Sequence, residues 1–243
     1  MIIISADDWG RSRSETDRTL SCYEANRITS VSAMVFMRDS ERAAELARGA
    51  DIDVGLHLNF NERYNGHVGS PHATEVQDRI VRVLTRSKYS VVVYHPFLRK
   101  QFREVYRTQL EEFVRLYGKP PSHVDGHHHG HLCANMIIEE IIPRGQRVRR
   151  NITFPRGEKG LVNRTYRRLV DQWLGRRYRL TDYLFELSWC IYDNQLERVI
   201  MLAKEAKVEL ITHPVREEEY ACLMSDTYIA ATRNVQTTAY SLL

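Results

Sequence analysis

The sequence predicts an α/β fold, an irregular TIM-like β/α barrel, on the basis of two features of the chain. Short apolar runs alternate with segments of helical periodicity along the 243 residues, which is typical of a parallel sheet covered by helices. No GxGxxG motif follows the first apolar run, so a doubly wound dinucleotide-binding fold lacks its most specific signal. The chain shows no internal repeat or low-complexity linker. We therefore predict a single domain over residues 1–243.

The first part of the chain alternates regularly between strands and helices. Ile-rich or partly alternating runs predict strands, and runs of strong helix formers predict helices. Ser14 and Asp39 are suited to cap the two helices at their amino ends. The predicted elements are strand 1–6, helix 14–26, strand 28–37, helix 39–50, strand 53–60 and a loop rich in Asn, Gly, Ser and Pro at 61–75.

The second part contains the longest predicted helix, 95–117. Its apolar residues recur every three or four positions from Leu98 to Tyr117, which indicates a face packed on the core. Gly118 and the prolines at 120–121 end it. The remaining predicted elements are strand 122–127, helix 132–142, strand 146–150, helices 160–174 and 193–206, and strand 207–214.

Composition and charge exclude several classes of protein. The 35 basic and 31 acidic residues leave a net charge of only +4, which does not favour nucleic-acid or membrane binding. Four scattered cysteines without a CxxC motif indicate neither a zinc ribbon nor a disulfide framework. We expect a cytoplasmic protein, because the amino terminus lacks a signal peptide and no apolar run is long enough to span a bilayer.

Acidic and imidazole side chains lie near the ends of four predicted strands. In β/α proteins the carboxyl ends of the strands meet at one face, where active sites form. Each group alone has a simpler interpretation, since a paired Asp often caps a turn and a single strand His is often a hydrogen-bonded core residue. Together, Asp and His supply the ligands of a catalytic metal site that keeps a position open for water. The residues are Asp7, Asp8, His57, Asn59, Asp125, His127 and His213.

The segment HVDGHHHGH, residues 123–131, holds five of the ten histidines. Gly126 and Gly130 predict that the strand breaks within it, so strand alternation cannot identify which histidine binds metal. We expect one ligand from this segment. The other histidines are then available to orient that ligand or to contact substrate.

Four motifs occur in one order: ADDWG at 6–10, GLHLN at 55–59, HVDGHHHGH at 123–131 and THP at 212–214. In this order they resemble the YdjC-like carbohydrate deacetylases, which include the chito-oligosaccharide deacetylases. The resemblance implies an irregular β/α barrel that binds one divalent metal ion and removes the acetyl group from an N-acetylated amino sugar. It also implies a possible homodimer.

The same resemblance implies roles for individual residues. Asp8, His57 and His127 correspond to the metal ligands, Asp7 to the catalytic base and His213 to the general acid. Arg149 lies where an arginine would steady the base, and Asn59, Asp125, His129 and His131 are candidates for contacting substrate or supporting the ligands. Two histidines and one aspartate suit Zn²⁺, but they also suit Mg²⁺, manganese, cobalt or nickel, so the identity of the ion stays open.

The segments that follow GLHLN and THP differ from the family pattern, so the substrate is less well specified than the metal site. We treat His67, His72 and His95 in or beside the first of these segments as surface histidines, and we assign His123 and His128 ordinary structural roles. One alternative is another metal-dependent β/α-barrel hydrolase, a phosphoesterase or amidohydrolase; a first strand ending in Asp-Asp rather than HxH disfavours it. Another is a catalytically inactive sugar-binding relative, which would have no need of Asp7.

Overall fold

A computed structural model of the protein describes residues 1–154 and 160–243. Six strands form one sheet in the order β4-β3-β2-β1-β6-β5, and every neighbouring pair is parallel. The parallel α/β prediction is confirmed. The strands are β1 (Ile2–Trp9), β2 (Ser30–Ala33), β3 (Val54–Leu58), β4 (Val124–Gly126), β5 (Tyr183–Glu186) and β6 (Val208–Thr212).

Helices connect the strands and cover the outer face of the sheet. The longest, α4, follows a short 3-10 turn and carries its apolar stripe into the core, as predicted. No helix in the described ranges combines the length and the apolar character needed to cross a bilayer. The α-helices are α1 (Arg13–Glu24), α2 (Ser40–Ala50), α3 (Pro71–Leu84), α4 (Arg99–Tyr117), α5 (Ala134–Ile138), α6 (Leu161–Gly175), α7 (Leu187–Tyr192), α8 (Leu196–Leu202), α9 (Glu217–Met224) and α10 (Asp226–Thr232).

The sheet curls, and an irregular segment, residues 147–153, spans the gap between its edge strands β4 and β5. Val148 forms an isolated parallel bridge with Val124 of β4. Further along the segment, the N–H of Thr153 donates to the carbonyl of Leu184 in β5 at 2.8 Å. The barrel prediction is therefore met in part: six strands curl round a common centre, and backbone outside regular strands bridges the opening.

The two faces of the sheet differ in chemistry. In β1 the outward residues Ile2, Ile4 and Ala6 belong to the hydrophobic core beneath the helices, whereas Ser5 and Asp7 alternate with them and are also buried. The same alternation runs through the neighbouring strands, so the outer face is apolar and the centre of the curl is polar. This arrangement buries titratable side chains one above another along the barrel axis.

Several predicted boundaries were wrong for local reasons. The loop predicted over 61–75 ends at Ser70, because Pro71 occupies the first turn of α3, where proline is favoured. The strand predicted over 146–150 makes only isolated bridges. Helix α1 begins one residue before Ser14, with Ser12 at the N-cap position. The strand β5 was missed because its apolar run is only a few residues long.

Candidate active site

A cavity of about 190 Å³ opens at the carboxyl ends of the strands. It brings together side chains from five strands and the turns that follow them. Most of its lining is charged or imidazole, which suits a polar ligand or an ion rather than an apolar one. The lining residues are Asp7, Asp8, Arg11, His57, Gly126, His127, His128, His129, Glu186, Ile211, His213 and Arg216.

The Asp7–Asp8 pair reaches this cavity through an irregularity in β1. Consecutive strand residues normally point to opposite faces, but the pairing of β1 with β2 shifts register between Ala6 and Trp9. Asp8 also has a left-handed backbone with φ of 64°, a conformation that costs an ordinary residue free energy and concentrates at functional sites. The bulge therefore turns two adjacent carboxylates into one cavity.

Asp8, His57 and His127 converge as a candidate metal centre, with one potential ligand atom from each lying within 4.8 Å of the others. Oδ1 of Asp8 lies 2.9 Å from Nδ1 of His127 and 3.5 Å from Nε2 of His57. These separations match ligand atoms about 3–3.5 Å apart around an ion with bonds of about 2.0–2.2 Å. Among the described residues no well-aligned hydrogen bond reaches this buried oxygen, so the three residues fit a divalent cation.

Electrostatics at the centre favour a cation. Burial alone would lower the pKa of His57, but Asp125, Asp7 and Asp8 outweigh it and raise that pKa to about 9. Burial would raise the pKa of Asp8, yet the close approach of His127 and the charge of His57 hold it well below its usual value. The surrounding carboxylates thus stabilise positive charge at the position where an ion would bind.

Asp125 orients His57. Its Oδ1 lies 2.9 Å from Nδ1 of that ring, which leaves Nε2 facing Asp7 and Asp8 at 4.0 and 3.5 Å. A carboxylate on the remote nitrogen of a ligating histidine fixes the tautomer and ring orientation. Asp125 therefore contacts His57 from beneath the cavity and does not line the cavity itself.

Arg149 holds Asp7 with both arms of its guanidinium. Nη1 donates to Oδ2 and Nη2 to Oδ1, each at 2.7 Å. The arginine is fully buried; burial would lower its pKa, but Asp125, Asp7 and Glu209 outweigh that effect and raise it well above the ordinary value. The predicted contact between Arg149 and Asp7 is present, and it fixes the direction of the Asp7 carboxylate.

His213 follows β6 and lines the same cavity. Glu219, buried in α9, accepts hydrogen bonds from the backbone N–H of His213 at 2.6 Å and from the hydroxyl of Thr212 at 2.9 Å. Its Oε1 lies 3.8 Å from Nδ1 of His213. Burial would lower the pKa of His213, but Glu219 and Asp7 outweigh it and raise that pKa. A raised pKa favours the protonated imidazole, the form that can donate a proton.

The histidines of the segment 123–131 occupy different positions relative to the cavity. Strand β4 ends at Gly126, and residues 127–132 form tight turns in which His128 and His129 have φ of 50° and 56°. His127 belongs to the candidate metal centre, and His128 and His129 also line the cavity. The structural role assigned to His128 was therefore wrong, because the left-handed turn carries it round to the cavity.

The other two histidines of the segment lie away from the cavity. His131 is buried, and its Nε2 lies 3.0 Å from the carbonyl oxygen of Arg149, so it supports that residue's backbone and does not contact a ligand in the cavity. His123 is buried against the ring of Tyr240 and contacts the hydroxyls of Ser32 and Ser122. Its structural assignment is confirmed.

Asn59 does not face the cavity. Its Oδ1 accepts the N–H groups of Asn61 and Glu62 at 3.2 and 2.9 Å, and its amide nitrogen faces the sulfur of Met37. It shapes the turn that brings Glu62 to within 3.5 Å of Nε2 of His127. The side chain is therefore a support for the loop rather than a substrate contact.

The sequence did not identify several charged residues at the site. Arg11 donates to Glu62 at 2.9 Å and lies 3.5 Å from Asp8. Arg11 was overlooked because it follows the Asp-Asp motif without a pattern of its own. Glu219 was overlooked because it belongs to a run of three glutamates in the segment that resembles the family least. Glu186 was overlooked along with β5.

Residues 1–238 match the sequence model of the family described as YdjC-like protein. The chain belongs to the YdjC-like family. The resemblance stated from the four ordered motifs is thereby confirmed, and it extends over nearly the whole chain rather than over the motifs alone.

Curated relatives carry deacetylase names. A chitooligosaccharide deacetylase from Proteus mirabilis is 29% identical over 133 residues, 54% of this chain and 50% of the relative. Carbohydrate deacetylases from Homo sapiens and Vibrio cholerae are 28% and 25% identical, over 89% and 100% of this chain and 72% and 96% of theirs. This chain spans about half the length of the first curated relatives it matches, 50% of the Proteus protein and 43% of a Mus musculus carbohydrate deacetylase.

A solved structure shares the fold. It comes from Enterococcus faecalis V583, is named as a cellobiose-phosphate cleavage protein, and matches with a TM-score of 0.67 over 99% of this chain and 97% of its own. At 15% identity this likeness concerns the architecture alone. It supports a curled parallel sheet as the common framework.

Proposed function

We propose that the protein is a metal-dependent hydrolase that removes the acetyl group from an N-acetylated amino sugar, such as a chito-oligosaccharide. The observation that carries this is that one cavity holds an arginine-held carboxylate, a carboxylate-held imidazole and the candidate metal centre. The names of the curated relatives support the choice of substrate class.

Asp8, His57 and His127 would hold the ion. When bound there, a divalent cation supplies positive charge that polarises the acetamide carbonyl and acidifies a neighbouring water. We assign Asp7 to proton transfer rather than to the ligand set, because Arg149 already engages both of its oxygens. The remaining chemistry then falls to the residues around the ion.

Asp7 acts as the general base. A carboxylate oriented by a bidentate arginine cannot rotate away, so its lone pairs facing the cavity stay directed at a water beside the metal centre. Taking the proton from that water makes it a stronger nucleophile for the acetamide carbon. Arg149 thus acts on the reaction by positioning Asp7.

His213 acts as the general acid. An amide nitrogen is a poor leaving group until it is protonated. Glu219 raises the pKa of the His213 imidazole, which favours the form that can supply this proton. His213 donates its proton to the departing amine as the carbon–nitrogen bond breaks. The products are acetate and the free amino sugar.

Acetate release from N,N'-diacetylchitobiose, measured with and without a chelator, tests the proposal. Wild-type protein should release acetate, the chelator should stop it, and added metal should restore it. His57→Ala and His127→Ala should lose both metal binding and acetate release. His67→Ala, a change at an exposed histidine outside the cavity, is the matched control and should keep both.

Three other results would count against the proposal. Full activity in either ligand variant would refute the assigned metal centre. No acetate release by the metal-loaded protein from a panel of N-acetyl sugars, with sugar binding retained, would favour an inactive binding protein. Cleavage of phosphate esters instead would favour a different barrel hydrolase.

A further inference from the structure

A buried glutamate lies directly beneath the cavity on β6. Strand alternation places Glu209, Ile211 and His213 on the same inner face, and the last two line the cavity. Glu209 is fully buried one layer lower, and its Oε1 accepts a 2.7 Å hydrogen bond from Nε of Arg149. A carboxyl group buried at that depth requires hydrogen-bond partners for both of its oxygens.

Tyr240, near the end of the chain, supplies the second partner. Its hydroxyl donates to Oε2 of Glu209. The residue is tightly held: its backbone N–H lies 3.1 Å from both Ser30 Oγ and Asp53 Oδ2, and its ring stacks on His123 with centroids 3.8 Å apart. The hydroxyl is therefore aimed at Glu209 by contacts that do not involve the cavity.

The guanidinium of Arg149 divides its donors between two layers. Nε is used by Glu209 below, while Nη1 and Nη2 hold the two oxygens of Asp7 above. Nη1 also lies 2.6 Å from Asp125. Because the guanidinium is planar and rigid, fixing the Nε edge fixes the direction of the fork that holds Asp7.

We propose that Glu209 and Tyr240 are positioning residues for the reaction: Tyr240 orients Glu209, Glu209 orients Arg149, and Arg149 aligns Asp7 with the cavity. The inference rests on the proposed role of Asp7 as the base. Loss of Glu209 leaves the Nε edge of a buried arginine without its charged partner, so the fork tilts and the Asp7 carboxylate turns with it. Glu209 contacts none of the ligands Asp8, His57 and His127 and reaches His57 only through Arg149 and Asp125, so metal binding should change less than catalysis.

Two variants and a matched control test this. Glu209→Gln keeps the size of the side chain and removes its charge, and Tyr240→Phe keeps the stacked ring and removes only the hydroxyl. Tyr228→Phe removes another buried tyrosine hydroxyl, one that donates to the carbonyl of Arg27 at 3.2 Å, and serves as control. Steady-state acetate release and metal affinity are measured for each, together with crystal structures.

Glu209→Gln should lower kcat about 10–100-fold, the usual loss when a supporting partner of a site is removed, with KM nearly unchanged and metal affinity reduced by a smaller factor than kcat. Tyr240→Phe should lower kcat less, and Tyr228→Phe should leave it unchanged. The double variant Glu209→Gln/Tyr240→Phe should show no larger fall in kcat than Glu209→Gln alone, because Tyr240 acts on Asp7 only through Glu209. A selective fall in kcat is the mark of an effect on the transition state rather than on substrate binding.

Unchanged kcat in both variants would overturn the inference, as would a rise in KM alone or fully additive losses in the double variant. In the Glu209→Gln crystal, loss of either 2.7 Å contact between Arg149 and Asp7 supports the inference, and retention of both overturns it. That structural result holds even if wild-type protein proves inactive, which would refute the proposed function separately. If Glu209→Gln fails to fold, the kcat and crystal structure of Tyr240→Phe test the inference instead.

Discussion

Replacing Glu219 by glutamine should move the pH dependence of catalysis in a defined direction. The carboxylate favours the protonated form of His213, whose pKa is raised. A general acid is active below its pKa and is lost as the pH rises through it. Removing the negative charge lowers the pKa of His213, so the basic limb of the profile of kcat/KM against pH should move to lower pH.

The size of the movement follows from the geometry. Oε1 of Glu219 lies 3.8 Å from Nδ1 of His213, a separation at which two unit charges attract by about 4 kcal/mol at an effective dielectric constant of about 20. Arg216 lies 3.0 Å from the same oxygen and offsets part of that attraction. We therefore expect the midpoint of the basic limb to fall by about one to two pH units, each worth about 1.4 kcal/mol.

Acetate release is measured from about pH 5 to 10 for the wild type, Glu219→Gln and a control, Glu218→Gln. Glu218 sits beside Glu219 in α9, but its carboxylate accepts from the exposed hydroxyl of Tyr192 instead. The control should retain the wild-type profile. A basic limb that stays in place in Glu219→Gln, or moves upward, would refute the assignment of His213 as an acid supported by Glu219.

Two further predictions concern the centre and the inner layer of the barrel. Because carboxylates raise the pKa of His57 to about 9 in the metal-free protein and only neutral imidazole binds metal, calorimetric affinity for Zn²⁺ should rise by up to about tenfold per pH unit between pH 6 and 8; a pH-independent affinity would contradict this. Gly55→Ala should destabilise the fold by about 1–3 kcal/mol in urea unfolding, because its Cβ would meet the ring of His123 at 2.2–2.4 Å. Gly49→Ala, in α2 with no atom within 4 Å of the added carbon, should instead stabilise by about 0.5–1 kcal/mol; equal effects of the two changes would show that the contact with His123 is unimportant.

Local patterns predicted much of the fold. The Ile-rich start of β1 and the apolar stripe of α4 are periodic over enough residues to identify both elements from the chain alone. Short elements escaped this reasoning: β5 is only four residues long, and it owes its strand conformation to pairing with β6. Tertiary pairing, rather than local preference, determines such segments.

Some residues of the candidate site could likewise be predicted from the sequence, and others could not. Acidic and imidazole ligands from Asp7–Asp8, His57 and one histidine of 123–131 could be proposed from residues at strand ends, because parallel strands bring their carboxyl ends to one face. The choice of Asp8 and His127 came only from the family resemblance. Glu209 and Glu219 could not, since nothing in the local sequence sets them apart: Glu209 lies in the largely apolar strand β6 and Glu219 in a run of three glutamates. Their contacts, with Arg149 for Glu209 and with the turn at His213 for Glu219, become visible only in the folded chain.

The amino-acid sequence alone thus indicates the family, the parallel α/β architecture and the residue types of a candidate metal centre, because these depend on residue types, periodicity and ordered motifs. The three-dimensional arrangement determines which histidine of 123–131 joins that centre and how Asp7 is held. Both depend on left-handed backbone at Asp8, His128 and His129, and on a buried arginine whose carboxylate partners are far apart in sequence. Strain and buried charge are tolerated only where the packed surroundings compensate for them, and that compensation is a property of the folded molecule.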